Sequence, residues 1–125
     1  SPYINPAGNW FPENFDFRFR GMITAREALY MSYNIPAIRA LEALGPRVGA
    51  AYAEQMGIST LHPNEVDNLS LTLGGLTYGV SAIDMAQAYS VLANEGVRVD
   101  LHAVDKIIDR HGDVLYEYRA NPRQF

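Results

Sequence analysis

The spacing of apolar residues along this chain predicts helices in two regions. Residues 24–57 carry apolar side chains at helical spacing and are predicted to form three helices, and residues 81–95 are predicted to form one more. The predicted apolar positions of the first helix are Ala28, Leu29 and Met31, and those of the second are Ile38, Leu41 and Leu44. The predicted apolar face of the last helix comprises Met85, Ala88, Tyr89, Leu92 and Ala93.

The remaining residues are predicted to be irregular apart from one hairpin. Residues 103–118 alternate in the manner of strands around a turn at Arg110-His-Gly-Asp113, which predicts a β-hairpin. Residues 1–20 are rich in proline and aromatic side chains and are predicted to be extended and packed onto the helices. Residues 58–80 form a connection whose glycines imply tight turns. The predicted fold class is therefore mainly α with a C-terminal β-hairpin.

Local signals fix where the first two helices end and begin. Thr24 and Glu27 have the spacing of a capping box, which places a helix start at Thr24. Pro36 suits the first turn of a helix, and a residue before proline is disfavoured in helical conformation, so the first helix must stop before Ile35. Residues 32–34 are therefore predicted to form a corner between two helices.

Further signals bound the later helices. Gly45 suits a left-handed position after the second helix, and Gly57 closes the third, which runs from about Arg47 to Met56. Ser81 and Asp84 repeat the spacing of a capping box at the start of the last helix.

Composition restricts the classes of function. At 125 residues the chain is large enough for one domain with a modest core. A net charge of −4 and scattered arginines without a basic stripe give no support to nucleic-acid binding. Without cysteine there is no disulfide or thiolate chemistry, and no apolar run approaches the roughly 20 residues of a membrane span. Nothing in the sequence resembles a signal peptide.

The predicted corner carries the candidate chemistry. Ser32 and Asn34 place a hydroxyl and a carboxamide two residues apart, where both can project into one cleft. Serine and asparagine are also common at helix breaks because their side chains compete for backbone hydrogen bonds, so spacing alone leaves a structural role open. Other chemistry has less support. The glycines at 74 and 75 lack the Lys-Ser/Thr of a phosphate loop, and the three histidines have no metal-ligand spacing.

A series of short motifs follows in order from about residue 3 to residue 118. They are Trp10-x-Pro12-x-Asn14-Phe-Asp16, Phe19-Arg-Gly21, Thr24-x-x-Glu27-Ala-Leu, Ser32-x-Asn34-Ile-Pro-Ala37, Tyr52-Ala-x-x-x-Gly57-Ile, Leu69-x-Leu-x-Leu-Gly-Gly75, Tyr78-Gly-Val-Ser81-x-x-Asp-Met-Ala86 and Ala93-Asn-x-Gly96. Each motif alone is weak, but the ordered series resembles the transpeptidase domain of class A, bifunctional penicillin-binding proteins. The resemblance implies a helical slice of the α+β, serine β-lactamase-like transpeptidase fold, with residues 1–125 as part of that domain.

The resemblance also implies roles for the corner residues. The family's site combines Ser-x-x-Lys with the nucleophilic serine, Ser-x-Asn, and Lys-Thr-Gly. None of the six serines here is followed by lysine three residues on, and the single lysine, Lys106, does not precede Thr-Gly, so only the second motif is present. By resemblance, Ser32 relays a proton to the leaving group, Asn34 orients substrate and catalytic lysine, and Tyr33 is a substrate-binding residue lining the cleft. No cofactor or metal is implied.

Two interpretations remain open for the whole protein. In the first, a parent peptidoglycan D,D-transpeptidase binds stem peptides and β-lactams on the cell-wall side of the cytoplasmic membrane, held by an N-terminal transmembrane helix outside this chain. The isolated chain is then expected to be inactive, and its apolar surfaces are expected to promote self-association. In the second, the chain is a non-catalytic helical binding or scaffold module of transpeptidase ancestry. The two differ in whether the parent carries the other two motifs.

Overall fold

The computed structural model describes residues 2–6 and 8–125. The helices are α1 (Ala25–Tyr30), α2 (Asn34–Leu44), α3 (Pro46–Met56) and α4 (Ala82–Ala93), with a 3₁₀ helix at Leu69–Leu73. The strands are β1 (Val97–Arg98), β2 (Lys106–Ile108), β3 (Val114–Glu117) and β4 (Arg123–Gln124). The predicted helices are present, whereas the 3₁₀ helix within the connection was not predicted.

The described residues group into two compact units, although the length predicts one domain. The first unit contains the residues up to Tyr52 together with Thr60–Gly79, and the second contains Ala53–Ser59 together with Val80–Phe125. Each unit is described by itself below.

The core of the first unit joins the N-terminal segment to α2. Tyr3, Ile35 and Ile38 are buried together, with Trp10 and Leu69 packed against them. In the same unit, the Tyr3 hydroxyl donates a 2.8 Å hydrogen bond to Glu42 Oε1 on α2. The N-terminal segment thus packs onto a helix at these two aromatic residues, as predicted.

Several predicted core positions of the first unit are exposed instead. Phe11, Phe15 and Phe17 lie largely in solvent, so the predicted packing of residues 1–20 onto the helices holds for only part of this segment. Phe15 and Phe17 lie in a turn that the hydrogen bond from Phe17 N to Asn14 O closes at 2.9 Å, and the Phe15 ring contacts Tyr33 on one face only. The apolar positions predicted on α1 and at the end of α2 are also exposed, namely Leu29, Met31 and Leu44.

The ends of α1 and α2 follow the predicted signals with one correction. The Thr24 hydroxyl accepts from Glu27 N at 3.1 Å, as a capping residue should. Gly45 ends α2 with φ 93° and ψ 125°, so the predicted left-handed helical conformation is wrong although φ is positive. Pro46 begins α3 directly afterwards, and a residue before proline is driven to an extended ψ.

The second unit buries a different face of α4 from the predicted one. Gln87 and Val91 are buried, whereas Met85, Tyr89 and Leu92 of the predicted apolar face are exposed. The reason is polar: the Gln87 amide donates to Val99 O at 3.0 Å and accepts from Leu101 N at 2.8 Å. This buried amide holds the segment after β1 against α4, and apolar periodicity does not reveal it.

The strands form two separate antiparallel pairs. The predicted hairpin is the β2–β3 pair, with Lys106 opposite Glu117 and a positive φ of 91° at Gly112 in its turn. The β1–β4 pair was not predicted, because strands of two residues are too short to show alternation.

The start of α4 is tied to Ser59 by one carboxylate. Ser81 Oγ accepts from Asp84 N as predicted, but the Asp84 carboxylate is more than a capping partner. It accepts hydrogen bonds from Ser59 N at 3.2 Å and from Ser59 Oγ at 2.9 Å. These bonds from Ser59 hold the pKa of Asp84 below its ordinary value.

We expect this carboxylate to make stability depend on acid pH. Because the folded-state pKa is lowered, its contribution is fully present above the unfolded value of 3.8 and is lost as the pH falls through the folded pKa. In urea unfolding from pH 7 down to about pH 3, Asp84→Asn should therefore lose less stability than the wild-type chain below about pH 4. Glu95→Gln, at an exposed carboxylate of the same unit, is the control. Parallel pH profiles for wild type and Asp84→Asn would refute this coupling.

Candidate functional site

The predicted corner is a helix stop built on one left-handed residue. Ser32 follows α1 with φ 55°, one of three non-glycine residues with positive φ among the described residues. Its N–H donates to Leu29 O and the N–H of Tyr33 donates to Ala28 O, both at 3.0 Å. This pair of bonds is the Schellman motif, whose left-handed position is usually glycine.

Serine at this position is a strained choice. The left-handed conformation costs a residue with a Cβ roughly 1–2 kcal/mol. The Ser32 side chain is exposed, and no described residue lies within hydrogen-bond distance of its hydroxyl. Backbone strain of this kind clusters at functional sites, which makes Ser32 a candidate.

Asn34 is the first residue of α2, and its side chain is fixed. Its Nδ2 donates to the backbone carbonyl of Glu13 at 2.7 Å. The second hydrogen of Nδ2 and the Oδ1 acceptor have no partner among the described residues. The carboxamide is therefore held in one orientation while part of its hydrogen-bonding capacity is unused.

Ser32 and Asn34 lie in the wall of the same open cavity, which has a volume of about 540 Å³. The rest of the wall is mostly apolar and comes from α1, α2 and the end of the 3₁₀ helix, where Thr72 and Leu73 contribute. An apolar wall with a few convergent polar groups is the usual form of a small-molecule site. The structure thus brings together the two residues that the sequence singled out.

Tyr33 occupies a different environment from its two neighbours. Its side chain is only 4% exposed, its ring stacks on Phe15 at 6.1 Å, and its hydroxyl accepts from Arg20 Nε at 3.0 Å. This bond and the carboxylate of Asp16 raise the pKa of Arg20, which stays cationic. Tyr33 reaches the cavity wall, but its ring and hydroxyl are committed to these contacts, so its substrate-binding role stays a prediction.

Two residues that support the corner were missed as functional positions. Glu13 supplies the carbonyl that binds Asn34, and the side-chain oxygen of Asn14 accepts from Ile35 N at 3.1 Å. Both contacts join residues 21 positions apart in sequence. Local spacing rules do not reach that far, and the only available signal was the place of Asn14 in the motif that begins at Trp10.

Other kinds of site find little support in the part of the chain that the structure describes. There, no three His, Cys, Asp or Glu side chains gather in a way that could hold a metal ion. None of the described helices has the length and apolar character needed to cross a membrane.

Comparison with known proteins identifies the family. The penicillin binding protein transpeptidase domain matches residues 3–124. The chain belongs to this family. The resemblance carried by the ordered motifs is thereby confirmed, and so is the predicted slice of the transpeptidase fold.

Individual relatives agree with the family match. Penicillin-binding protein 1A of Neisseria gonorrhoeae is 41% identical over 113 residues, and that of Clostridium novyi is 30% identical over 122 residues. These matches cover 89% and 98% of this chain but only 14% of either relative. The crystal structure of penicillin-binding protein 1A from Haemophilus influenzae matches 99% of this chain and 18% of its own, with a TM-score of 0.80 and 28% identity. The chain thus spans about a seventh of the length of these curated relatives.

We expect the strain at Ser32 to be measurable with two variants. Ser32→Gly and Ser32→Ala both lose the hydroxyl, but only glycine adopts the left-handed conformation without cost. The glycine variant should therefore have a free energy of unfolding about 1 kcal/mol higher than the alanine variant, measured by urea unfolding of the 125-residue chain. Equal stabilities would show that the corner is not strained in solution.

Proposed function

We propose that this chain is the part of a serine D,D-transpeptidase that carries the Ser-x-Asn motif. The parent enzyme cross-links peptidoglycan stem peptides by acyl transfer through a serine, and β-lactams acylate the same serine. The observation that carries this proposal is the strained corner, which holds the Ser32 hydroxyl and the Asn34 carboxamide in the wall of one cavity. None of the six serines in this chain is followed by a lysine three residues on, so the nucleophile comes from elsewhere in the parent.

The proposed role of Ser32 is proton transfer. When the nucleophilic serine attacks the peptide carbonyl, the carbon–nitrogen bond breaks and the leaving amine needs a proton. The Ser32 hydroxyl can donate its proton to that nitrogen and take one from a neighbouring lysine ammonium, so that no net charge is left on Ser32. A hydroxyl without an intramolecular partner suits this role because it rotates between donor and acceptor.

The proposed role of Asn34 is orientation. One Nδ2 hydrogen is fixed on Glu13 O, which aims the remaining Nδ2 hydrogen and Oδ1. The hydrogen can donate to a substrate carbonyl, and Oδ1 can accept from a lysine ammonium. Holding both reacting partners in this way lowers the entropic cost of reaching the transition state.

The setting of the parent follows from the same proposal. It acts on the cell-wall side of the cytoplasmic membrane, anchored by an N-terminal transmembrane helix, and it binds stem peptides and β-lactams without a cofactor. Tyr33 contributes to substrate binding only through the part of it that reaches the cavity. Self-association of the isolated chain stays a prediction, favoured by exposed apolar side chains on α1 and α4 such as Leu29, Ile83 and Leu92.

The alternative is a non-catalytic helical module of the same ancestry. A scaffold gains nothing from a strained serine where glycine would fit, and the hydroxyl of Ser32 makes no structural contact with any described residue. These two facts favour the enzyme.

Intact mass spectrometry with penicillin tests the proposal. We expect one adduct of the drug's mass on the parent protein and none on the 125-residue chain. An adduct on neither protein would favour the scaffold interpretation. An adduct on the 125-residue chain would contradict the proposal that the nucleophile lies outside this chain.

The rate of turnover of a stem-peptide substrate tests the role of Ser32. In the parent, Ser32→Ala and Ser32→Gly should both slow turnover of a stem-peptide substrate by about 10²–10⁴, the usual effect of losing a proton-transfer group. Ser59→Ala, which loses a hydroxyl hydrogen bond in the second unit, is the control and should keep the wild-type rate. Full activity of either Ser32 variant would remove Ser32 from the mechanism.

A further inference from the structure

We propose that Asn14 is a positioning residue that fixes the Ser32–Asn34 corner for catalysis. This inference rests on the proposed function of that pair and adds a residue to it. Asn14 lies in the loop of residues 13–20, which we call the support loop, and does not line the cavity that contains Ser32 and Asn34.

The first reason is that α2 cannot cap its own start. The capping position is Tyr33, whose side chain makes no capping hydrogen bond. The N–H groups of the first turn of a helix have no acceptor within the helix, so Ile35 N needs an acceptor from outside. Pro36, the next residue, has no N–H. Ile35 is buried, and Asn14 Oδ1 accepts its N–H at 3.1 Å. A residue 21 positions upstream thus caps the helix that begins with Asn34.

The second reason is that Asn14 is itself fixed. Its side chain is buried with 4% exposure, and its Nδ2 donates to Arg18 O at 2.7 Å. Arg18 O can only accept a hydrogen bond, so it must face the Nδ2 of Asn14. Ile35 N can only donate one, so it must face the Oδ1. Asn14 therefore presents its oxygen to α2 in a single orientation.

The third reason is that the support loop touches every residue from 33 to 35. Glu13 O accepts from Asn34 Nδ2 at 2.7 Å, and Arg20 Nε donates to the Tyr33 hydroxyl at 3.0 Å. Asn14 lies between these contacts and adjoins Glu13. A shift of Asn14 therefore moves two groups together: the Glu13 carbonyl that orients the Asn34 side chain, and the backbone at Ile35. Ser32 lies one residue before residues 33–35, which the support loop holds.

The chain offers a matched control for a buried amide. Gln87 in the second unit is 7% exposed, donates to one backbone carbonyl and accepts from one backbone N–H, as Asn14 does, and its Nε2 also donates to Ser90 Oγ at 3.2 Å. Leucine at either position removes the two hydrogen bonds to the backbone. Only the Asn14 bonds reach the corner. Comparing Asn14→Leu with Gln87→Leu therefore separates an effect of lost stability from an effect of lost positioning.

The test compares penicillin acylation rates of the parent protein with Asn14→Leu, Asn14→Asp and Gln87→Leu. Asn14→Leu should slow acylation roughly 10- to 100-fold, the size expected when reacting groups are displaced by about 1 Å. Asn14→Asp keeps an oxygen for Ile35 N and should be faster than Asn14→Leu. Gln87→Leu should acylate like wild type despite a similar loss of stability.

A second measurement ties the rate to the bond itself. Amide hydrogen exchange at Ile35, measured on the 125-residue chain, should be faster in Asn14→Leu than in Asn14→Asp or Gln87→Leu. If Asn14→Leu does not fold, the test uses Asn14→Asp. Its acylation rate must then fall below the wild-type rate if, and only if, its amide exchange at Ile35 is faster than in wild type. The proposal is overturned if acylation is slowed while the Ile35 amide exchanges as in wild type, or if acylation keeps the wild-type rate while the Ile35 amide exchanges faster.

The outcomes also separate this inference from the function it rests on. If wild-type parent forms no adduct, the proposed function fails. If wild type forms the adduct and Asn14→Leu does so at the same rate, or if Gln87→Leu slows as much as Asn14→Leu, the function stands and the positioning role of Asn14 is overturned.

Discussion

The candidate site depends on a single reversal of the backbone at Ser32. α1 has only six residues and buries none of them, so it is not held in place by a core of its own. Two hydrogen bonds close its end, and the chain re-enters a helix at once because the first turn of α2 is capped from outside. Together these bonds offset the roughly 1–2 kcal/mol of left-handed strain at Ser32. The hydroxyl and the carboxamide then face one cavity on a corner with few ways to relax.

Strain alone does not mark a functional residue in this molecule. Glu95 follows α4 with the same φ of 55°, and the bond from Gly96 N to Val91 O repeats one of the two bonds that end α1. Glu95 differs from Ser32 because it does not line the cavity that contains Ser32 and Asn34. The combination of strain, an unused hydroxyl and a fixed neighbouring amide is what distinguishes the first corner.

The sequence predicts the local parts of this structure and misses the contacts that are distant in sequence. Thr24 and Pro36 place the helix ends because capping and the proline ring act within one turn. The prediction of the buried face of α4 was wrong because Gln87, a polar residue, is buried there by hydrogen bonds to backbone groups beyond the helix. The support from Asn14 acts across 21 residues and has no periodic signature. Family motifs led to the function proposed for the corner, whereas its support by Glu13 and Asn14 became visible only in the structure.

A crystal structure of the parent protein acylated by a penicillin would show whether the Ser32–Asn34 corner forms part of the active site. We expect Ser32 to keep its positive φ, Asn34 Nδ2 to stay on Glu13 O, and the acylated serine to lie within hydrogen-bond distance of the Ser32 hydroxyl. We also expect the drug's carbonyl groups to face the unused hydrogen of Asn34. An adduct bound away from this cavity, or a corner that unwinds when the drug binds, would contradict this role of the corner.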